Sequence, residues 1–529
     1  MLRRKFLEES ALFGLVGTLS EGQGGEAPSK QEAFFNVRRY GASGRGTCLD
    51  TSSIQAAVDA CARAGGGIVL FPAGRYLTGT VLLRSRVTLW LSEGATVLGS
   101  PNLADYPSHP PSFQASTAPY TDRYIIYGEK LEDIGIEGHG TIDGQGMHFA
   151  RTRTGRPYLI RFSECRNISV RGVTLKNSGM WVQHYLACTH VLIEGIRVAS
   201  HVNINNDGID IDCCECVRIA NCEIDSGDDA IVLKSGGRRV TRNVTVSNCV
   251  VRSNCNALKV GTESNGGFEN ISFSNCAIHD TGLAGLALEA VDGATLNGIV
   301  VSNIVMNGVG APLFIRLGDR ARPASPGAKG QPVGSVSNIL IENIFATGAG
   351  KVGCSITGIP EHPVHNVNLS NLRLIFVGGG TREEAQRFVP QKPKAYPEFK
   401  MFGVLPAYGL YCRHVTGLRL SNVETAYLKA EMRPALVCED VEALDILTSM
   451  FSVVEDGDPS IVLRGVRNTM VEGCRAGRQK VFLTLMGPET QAITLLANDF
   501  HLAKTPVKVG SDVASGTVFA TSNRMSHSG

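Results

Sequence analysis

The sequence carries almost no excess charge of either sign. Its 529 residues hold 51 Lys and Arg against 49 Asp and Glu, a net charge of +2. No long basic run occurs either, which argues against a nucleic-acid partner. After the first residues no apolar run is long enough to span a bilayer, so no membrane-spanning helix is expected. Low-complexity tracts are missing too. What is present is glycine, 60 residues within 43% hydrophobic residues, a composition that suits a turn-rich all-β protein.

Residues 1–31 read as an address followed by a polar linker. Arg3-Arg4-Lys5-Phe6-Leu7 resembles a twin-arginine export signal, and Ala11 to Leu19 supplies a short apolar core. Export to the periplasm or outside the cell is therefore expected. Fifteen cysteines raise the question of disulfides in an exported chain. Cys222, Cys249 and Cys276, however, recur at 27-residue intervals, each after an Asn, and read as small apolar knobs stacked inside a repeat. Cys213, Cys214 and Cys216 stand close together, but no second pair lies at zinc-site spacing. No metal or other cofactor is expected.

Residues 32–110 read as an N-terminal cap with the first coils. Asp50 or Thr51 can start a helix through Ala64 with Ile54, Ala57, Val58 and Cys61 on one face, and Gly65 to Gly67 stops it. Short strands follow at Ile68 to Phe71, Thr80 to Leu83, Val87 to Leu91 and Thr96 to Leu98. From Ile168 a repeat emerges, with copies beginning at Val191, Val217, Val244, Ile271, Ile299, Ile339, Val367 and Leu418. Its first steps are 23, 26, 27, 27 and 28 residues. Each copy alternates apolar and polar residues, bends at Asn or Gly, and alternates again, which predicts two short strands per copy. Periods of this length mean units that bury their apolar face only by stacking. The leucine consensus of the competing solenoid is absent, so residues 111–520 are expected to form a parallel β-helix. Its right hand is expected from the general preference of strand crossovers. Insertions are expected near 317–335 and 376–410, where the steps widen to 40 and 51 residues. After Leu418 the copies blur, at Leu444 and Met470.

The stretch from Asn205 to Ser235 holds six aspartates, among them Asp207 and Asp228, 21 residues apart, with Asp229 next in the chain. In a coil of similar period Asp207 and Asp228 fall at like positions on adjacent turns, about 4.8 Å apart. Three carboxylates so crowded repel one another unless they do acid/base work or bind a cation.

Asn206-Asp207-Gly208-Ile209-Asp210, followed by Gly227-Asp228-Asp229-Ala230-Ile231-Val232-Leu233-Lys234-Ser235, resembles the signature of glycoside hydrolase family 28, the polygalacturonase family of the pectate-lyase-like β-helix superfamily. The segments Asn177 to His184 and Gly140 to Gly146 are similar to further stretches of that family. The resemblance implies a single-stranded right-handed parallel β-helix with an N-terminal capping helix, acting on a pectic polysaccharide or oligosaccharide by inverting hydrolysis. Asp228 would be the general acid, with Asp207 and Asp229 activating water, and the carboxyl groups would stand well apart to admit that water. Asn206, Trp181, His184, Asn256, Lys259, Glu289 and Arg316 are the candidate substrate contacts, with Trp181 a stacking platform or a core residue. Two positions depart from the family. Asn256 stands at its catalytic-site histidine, and Ala287-Leu288-Glu289 stands at its uronate-binding Arg-x-Lys, leaving Lys259, Arg316 and Arg320 as sources of positive charge. These changes make a rhamnogalacturonan or another pectic exo-substrate as suitable as plain homogalacturonan. A calcium-dependent pectate lyase and a non-catalytic carbohydrate-binding solenoid remain the rival readings. A monomer is expected.

Overall fold

The structure, a computed structural model, describes residues 34–525 apart from 456 and 458; the export signal expected at residues 1–31 lies outside them. Successive strands pair in parallel with the strand one coil on, and the repeat found in the sequence is the pairing register itself. Ile168 stands against Val191, Val191 against Val217, Val217 against Val244, and the column continues through Ile271, Ile299, Ile339, Val367, Leu418 and Leu444. At the next step Leu444 meets Thr469, not Met470, which pairs with Asp445. These β-branched and leucine side chains are buried within one continuous core, each contributing about 1.5–3 kcal/mol over an exposed position.

The bend between the two strands of each copy is a stack of left-handed residues. Gly172 and Gly195 begin it, at φ 70° and 62°, and Asn221, Asn248, Asn275, Asn303, Asn343, Asn371 and Asn422 continue it at φ 53–58°. Asparagine tolerates this conformation better than other side-chain-bearing residues. Its amide also reaches the next coil: Asn303 donates to Asn275 at 3.0 Å, Asn343 to Asn303 at 3.0 Å and Asn371 to Asn343 at 3.1 Å.

Each coil has a third strand, of which the sequence pattern shows only Thr80 to Leu83 and the apolar run Ala230 to Leu233. The column runs through Tyr124–Glu129, Tyr158–Ser163, Gln183–Leu186, Ile209–Asp212, Ile231–Ser235 and Leu258–Ser264. Almost every residue of these six strands is buried. Strands buried on both faces lose the apolar–polar alternation that betrays a strand.

The cover comes from three strand-poor segments. Residues 103–123 lie ahead of Tyr124–Glu129, 318–334 follow Thr295–Leu317, and 379–409 lie ahead of Leu410–Lys429. The last is stapled by two buried arginines. Arg316 donates to the carbonyls of Gln391 (2.9 Å) and Lys392 (3.2 Å), and Arg413 to those of Val389 (2.6 Å) and Pro390 (3.1 Å). Phe399 of this segment packs onto Ala284, Ala287, Ala311 and Phe314 of the covered column.

At the N-terminal end the helix Thr51–Arg63 turns Ile54, Ala57, Val58 and Cys61 into the core. Asp50 precedes it without capping it through its side chain; the carboxylate accepts from Ser43 N at 2.7 Å and Gly44 N at 3.1 Å instead. The fifteen cysteines are free thiols, and Cys222, Cys249 and Cys276 are buried in the core stack.

Candidate active site

The aspartates lie in the bends that lead into the covered column. The ladder pairs Ile209 with Ile231, and Gly208 N donates to Asp229 O at 2.9 Å. The step is therefore 22 residues, which levels Asp207 with Asp229 and sets Asp228 one residue back. This corrects the expectation of Asp207 level with Asp228: the bend after Gly227 is one residue longer than the spacing assumes. The next step carries the level position to Asn256, whose carbonyl accepts from Ala230 N at 2.9 Å. Asp207, Asp228 and Asp229 nonetheless come together, with one carboxylate oxygen of each within 4.8 Å of the others. This is tighter than the separation expected for water standing between two acids, about 6.5–9.5 Å. Asp207 and Asp229 are buried and Asp228 is half-buried.

The three carboxyls are held in different states. Burial works against ionisation of Asp229, but Lys259 and Lys234 outweigh it and hold the group below the usual carboxylate range. Lys259 Nζ lies 3.0 Å from Asp229 Oδ2, while the main-chain N and Nδ2 of Asn256 donate to Oδ1 at 3.2 and 2.8 Å. Asp228 is pushed up, first by burial and then by the charge of Asp229. Asp207 is pushed well up by burial and by Asp228 and Asp210, and its Oδ1 has no hydrogen-bond partner. One acid is thus pushed towards its ionised form beside two pushed towards their protonated forms.

Three of the other expected residues surround this centre. Asn256 spans Asp229 and, through Oδ1, Ala284 N at 3.0 Å. Lys259 also lies 3.7 Å from Glu289. Glu289 accepts from Thr262 Oγ1 at 2.7 Å, and burial lifts its carboxyl to about 7.

Four others have their side chains engaged by the protein itself. Asn206 spends its amide on the carbonyls of Ser178 (3.0 Å) and Met180 (2.9 Å) and accepts from Asn203 N at 3.1 Å. Trp181 is no open platform: it is 3% exposed, stacked on Tyr158 at 5.3 Å, with the edge of Tyr120 at 5.4 Å. His184 is fully buried with Nε2 3.4 Å from Asp212; burial and the nearby Arg161 charge lower it to about 4, so it stays neutral. Arg316 has its guanidinium filled by Thr357 Oγ1 and three main-chain carbonyls. Arg320, offered as a further cation, pairs with Asp292 through Nε at 2.8 Å.

Sequence reasoning missed Lys234, the central cation. Its Nζ lies 3.3 Å from Glu263, 3.5 Å from Asp210 and 3.8 Å from Asp207, and 4.7 Å from the centre of the Trp181 ring. A lysine after the apolar run Ile231-Val232-Leu233, level with Asp212 in the ladder, was the available signal. Tyr396 was also missed as a site residue. It is 58% exposed in segment 379–409, and its hydroxyl lies 3.1 Å from Thr262 Oγ1.

Comparison with known families matches residues 109–392, more than half of the chain, to glycosyl hydrolases family 28. The chain belongs to this family. The family 28 chain is 37% identical over 212 residues to a probable polygalacturonase of Vitis vinifera, covering 37% of this chain and 43% of that protein. It is 29% identical over 255 residues to an exo-poly-α-D-galacturonosidase of Dickeya chrysanthemi, covering 38% and 42%. It thus spans about two fifths of the length of these curated relatives. Among solved structures, the exopolygalacturonase of Thermotoga maritima superposes with a TM-score of 0.57 at 24% identity, over 65% of this chain and 87% of that one. That likeness shows the fold, a right-handed parallel β-helix.

Proposed function

We propose that this family 28 chain hydrolyses a glycosidic bond of a pectic polysaccharide or oligosaccharide, with Asp228 as general acid and Asp229, helped by Asp207, activating water. The observation that carries this reading is the convergence of three carboxylates within 4.8 Å of one another, with Lys259 and Asn256 on Asp229 favouring its ionised form and burial beside it favouring the protonated form of Asp228. An acid that keeps its proton beside a base that has lost its own is the pairing glycoside cleavage needs. Asp228 is also the most exposed of the three, as a group that must reach the leaving oxygen should be. The proton passes from Asp228 to the glycosidic oxygen as that bond breaks, and water gives its proton to Asp229 as it bonds to the anomeric carbon.

Asp228→Asn tests the assignment: turnover of pectic oligosaccharides should be lost while binding survives. Retained turnover removes Asp228 from the acid role. The family implies inversion, whereas the carboxylates stand closer than inverting pairs usually do, so the anomer released, followed by NMR, decides the stereochemistry. Two ammonium groups already lie 3.0–3.8 Å from Asp229 and Asp207, which disfavours calcium as the counter-charge; activity should survive a chelator and give no unsaturated product. The twin-arginine-like start supports export of the enzyme.

A further inference from the structure

Five arginines are buried to within 3% exposure: Arg156, Arg161, Arg316, Arg413 and Arg433. Four spend both terminal nitrogens on protein oxygens. Arg161 does not. Its Nη1 donates to Thr121 O at 3.2 Å and Tyr124 Oη at 3.1 Å, but Nε and Nη2 are both buried without a partner. Those two form one edge of the guanidinium, the edge that takes a carboxylate in two parallel hydrogen bonds. Among the described residues no acid pairs with it. Two rings stand towards one side of it, with the guanidinium carbon 5.5 Å from the centre of Tyr124 and 5.8 Å from that of Tyr158, the two centres 6.0 Å apart. More unpartnered buried polar atoms line the neighbouring positions: Tyr158 Oη, Ser163 Oγ, His184 Nδ1 and His109 Nε2.

An arginine cannot shed its proton to escape burial, so an unmet edge in a dry site calls for an anion or for ordered water. The place of this edge favours the anion. Arg161 pairs with His184 and His184 with Asp210, so the edge lies two coils, about 10 Å, before the coil of Asp207 on the same covered face. Three cations on the other side of the aspartates are already matched. Lys259 is held by Asp229 and Glu289, Arg320 by Asp292, and Arg316 by carbonyls.

We propose that Arg161 holds the carboxylate of a uronate sugar, and that segment 103–123 folds over the occupied site. This rests on the pectic hydrolase reading and deepens it by moving acid recognition across the catalytic coil. Segment 103–123 supplies the roof: Thr121 caps Arg161, Tyr120 stands against Trp181, and His109 stacks on Tyr127 at 5.7 Å. It is tied down by Arg322, which donates to Tyr120 Oη at 2.6 Å and Ser116 O at 3.0 Å.

The test is calorimetric titration of the full-length Asp228→Asn protein with galacturonic acid, its methyl ester and acetate. The acid should bind about 100-fold more tightly than the ester, the difference a bidentate charged pair makes. Adding Arg161→Gln should abolish that preference. Arg161→Lys, which keeps the charge and loses the fork, should lose most of it, and circular dichroism checks that both variants fold. Equal binding of acid and ester overturns the proposal. So does a preference that survives Arg161→Gln, acetate binding as tightly as the sugar acid, or a soaked crystal with only water at the Arg161 edge. A protein that prefers the acid through Arg161 but never cleaves a pectic chain keeps the site and refutes the hydrolase reading.

Discussion

Asn256 gives a direct handle on the base. Its Nδ2 donates to Asp229 Oδ1 at 2.8 Å, and its Oδ1 accepts from Ala284 N at 3.0 Å. Asn256→Ala removes the first bond and strands the second donor. A hydrogen bond to a charged acceptor contributes about 1.5–3 kcal/mol, and about 1.4 kcal/mol corresponds to one pH unit. The Asp229 carboxyl should therefore rise by about 1–2 units. The Asn256 main-chain N–H at 3.2 Å and Lys259 at 3.0 Å remain, so the group stays a carboxylate near neutrality. Asp229, the proposed base, can work only when ionised, so activity should be lost as pH falls through its folded pKa. Raising that pKa moves the acid limb of the kcat/KM profile to higher pH, by the same one to two units. Asn256→Asp, which puts a second acid against Asp229, should move it further. Stability should fall in Asn256→Ala by about 1–3 kcal/mol for the stranded Ala284 N–H, read as an earlier urea midpoint. An acid limb that stays in place while activity merely scales down would refute the chain of reasoning from amide to base.

Three further outcomes follow from the same contacts. Lys259→Met leaves Asp229 and Glu289 without their shared ammonium and should cost about 3–5 kcal/mol in thermal or chemical unfolding, part of it restored by adding Glu289→Gln; an unchanged Tm would contradict this. Glu289 is raised to about 7 in the folded chain, so the folded state holds a proton that the unfolded chain releases above its ordinary value near 4.5. Stability should therefore fall as pH rises from about 4.5 to 7, and Glu289→Gln should flatten that slope. Asn343 sits at φ 56° with amide bonds to Asn303 and Asn371; Asn343→Ala should cost about 2–3 kcal/mol, and Asn343→Gly, which accepts the left-handed backbone, about half of that.

How far the chain could be read depended on which face each strand shows to water. The stack from Ile168 to Leu444 was legible residue by residue because those strands alternate buried apolar and exposed polar positions. The blurred step at Met470 missed by one because Thr469 is a buried polar residue in an apolar column. The covered column was legible only at 80–83 and 230–233, because segments 103–123, 318–334 and 379–409 bury its outer face, and Lys234 and Arg161 went unnoticed with it. The aspartates were found through their crowding and the family resemblance, but the level partner of Asp207 was misassigned. A one-residue bend is invisible to spacing alone. The backbone partners of Asn206 and Arg316 were hidden for a related reason: spacing alone does not show which carbonyls a polar side chain meets.

The same covering segments bear on how specificity can vary in this fold. Each coil is closed by bonds to its immediate neighbours, so an insertion between strands leaves the register on either side intact: Ile299 pairs with Ile339 across 318–334, and Val367 with Leu418 across 379–409. The scaffold is then largely indifferent to what those segments contain. The site is not, since Tyr396 and Phe399 approach the catalytic face from one of them. The indifference has a limit, set by Arg316 and Arg413, whose guanidinium groups take four carbonyls from residues 389–392. Replacing 379–409 by a short loop would strand two buried charges. Replacing it together with Arg316→Leu and Arg413→Leu should not. The doubly substituted chain should therefore unfold later than the chain carrying the loop change alone, by several kcal/mol, while its preference among pectic oligosaccharides changes. If the two chains unfold together, the staples contribute nothing and the segment is held by Phe399 and its apolar contacts instead.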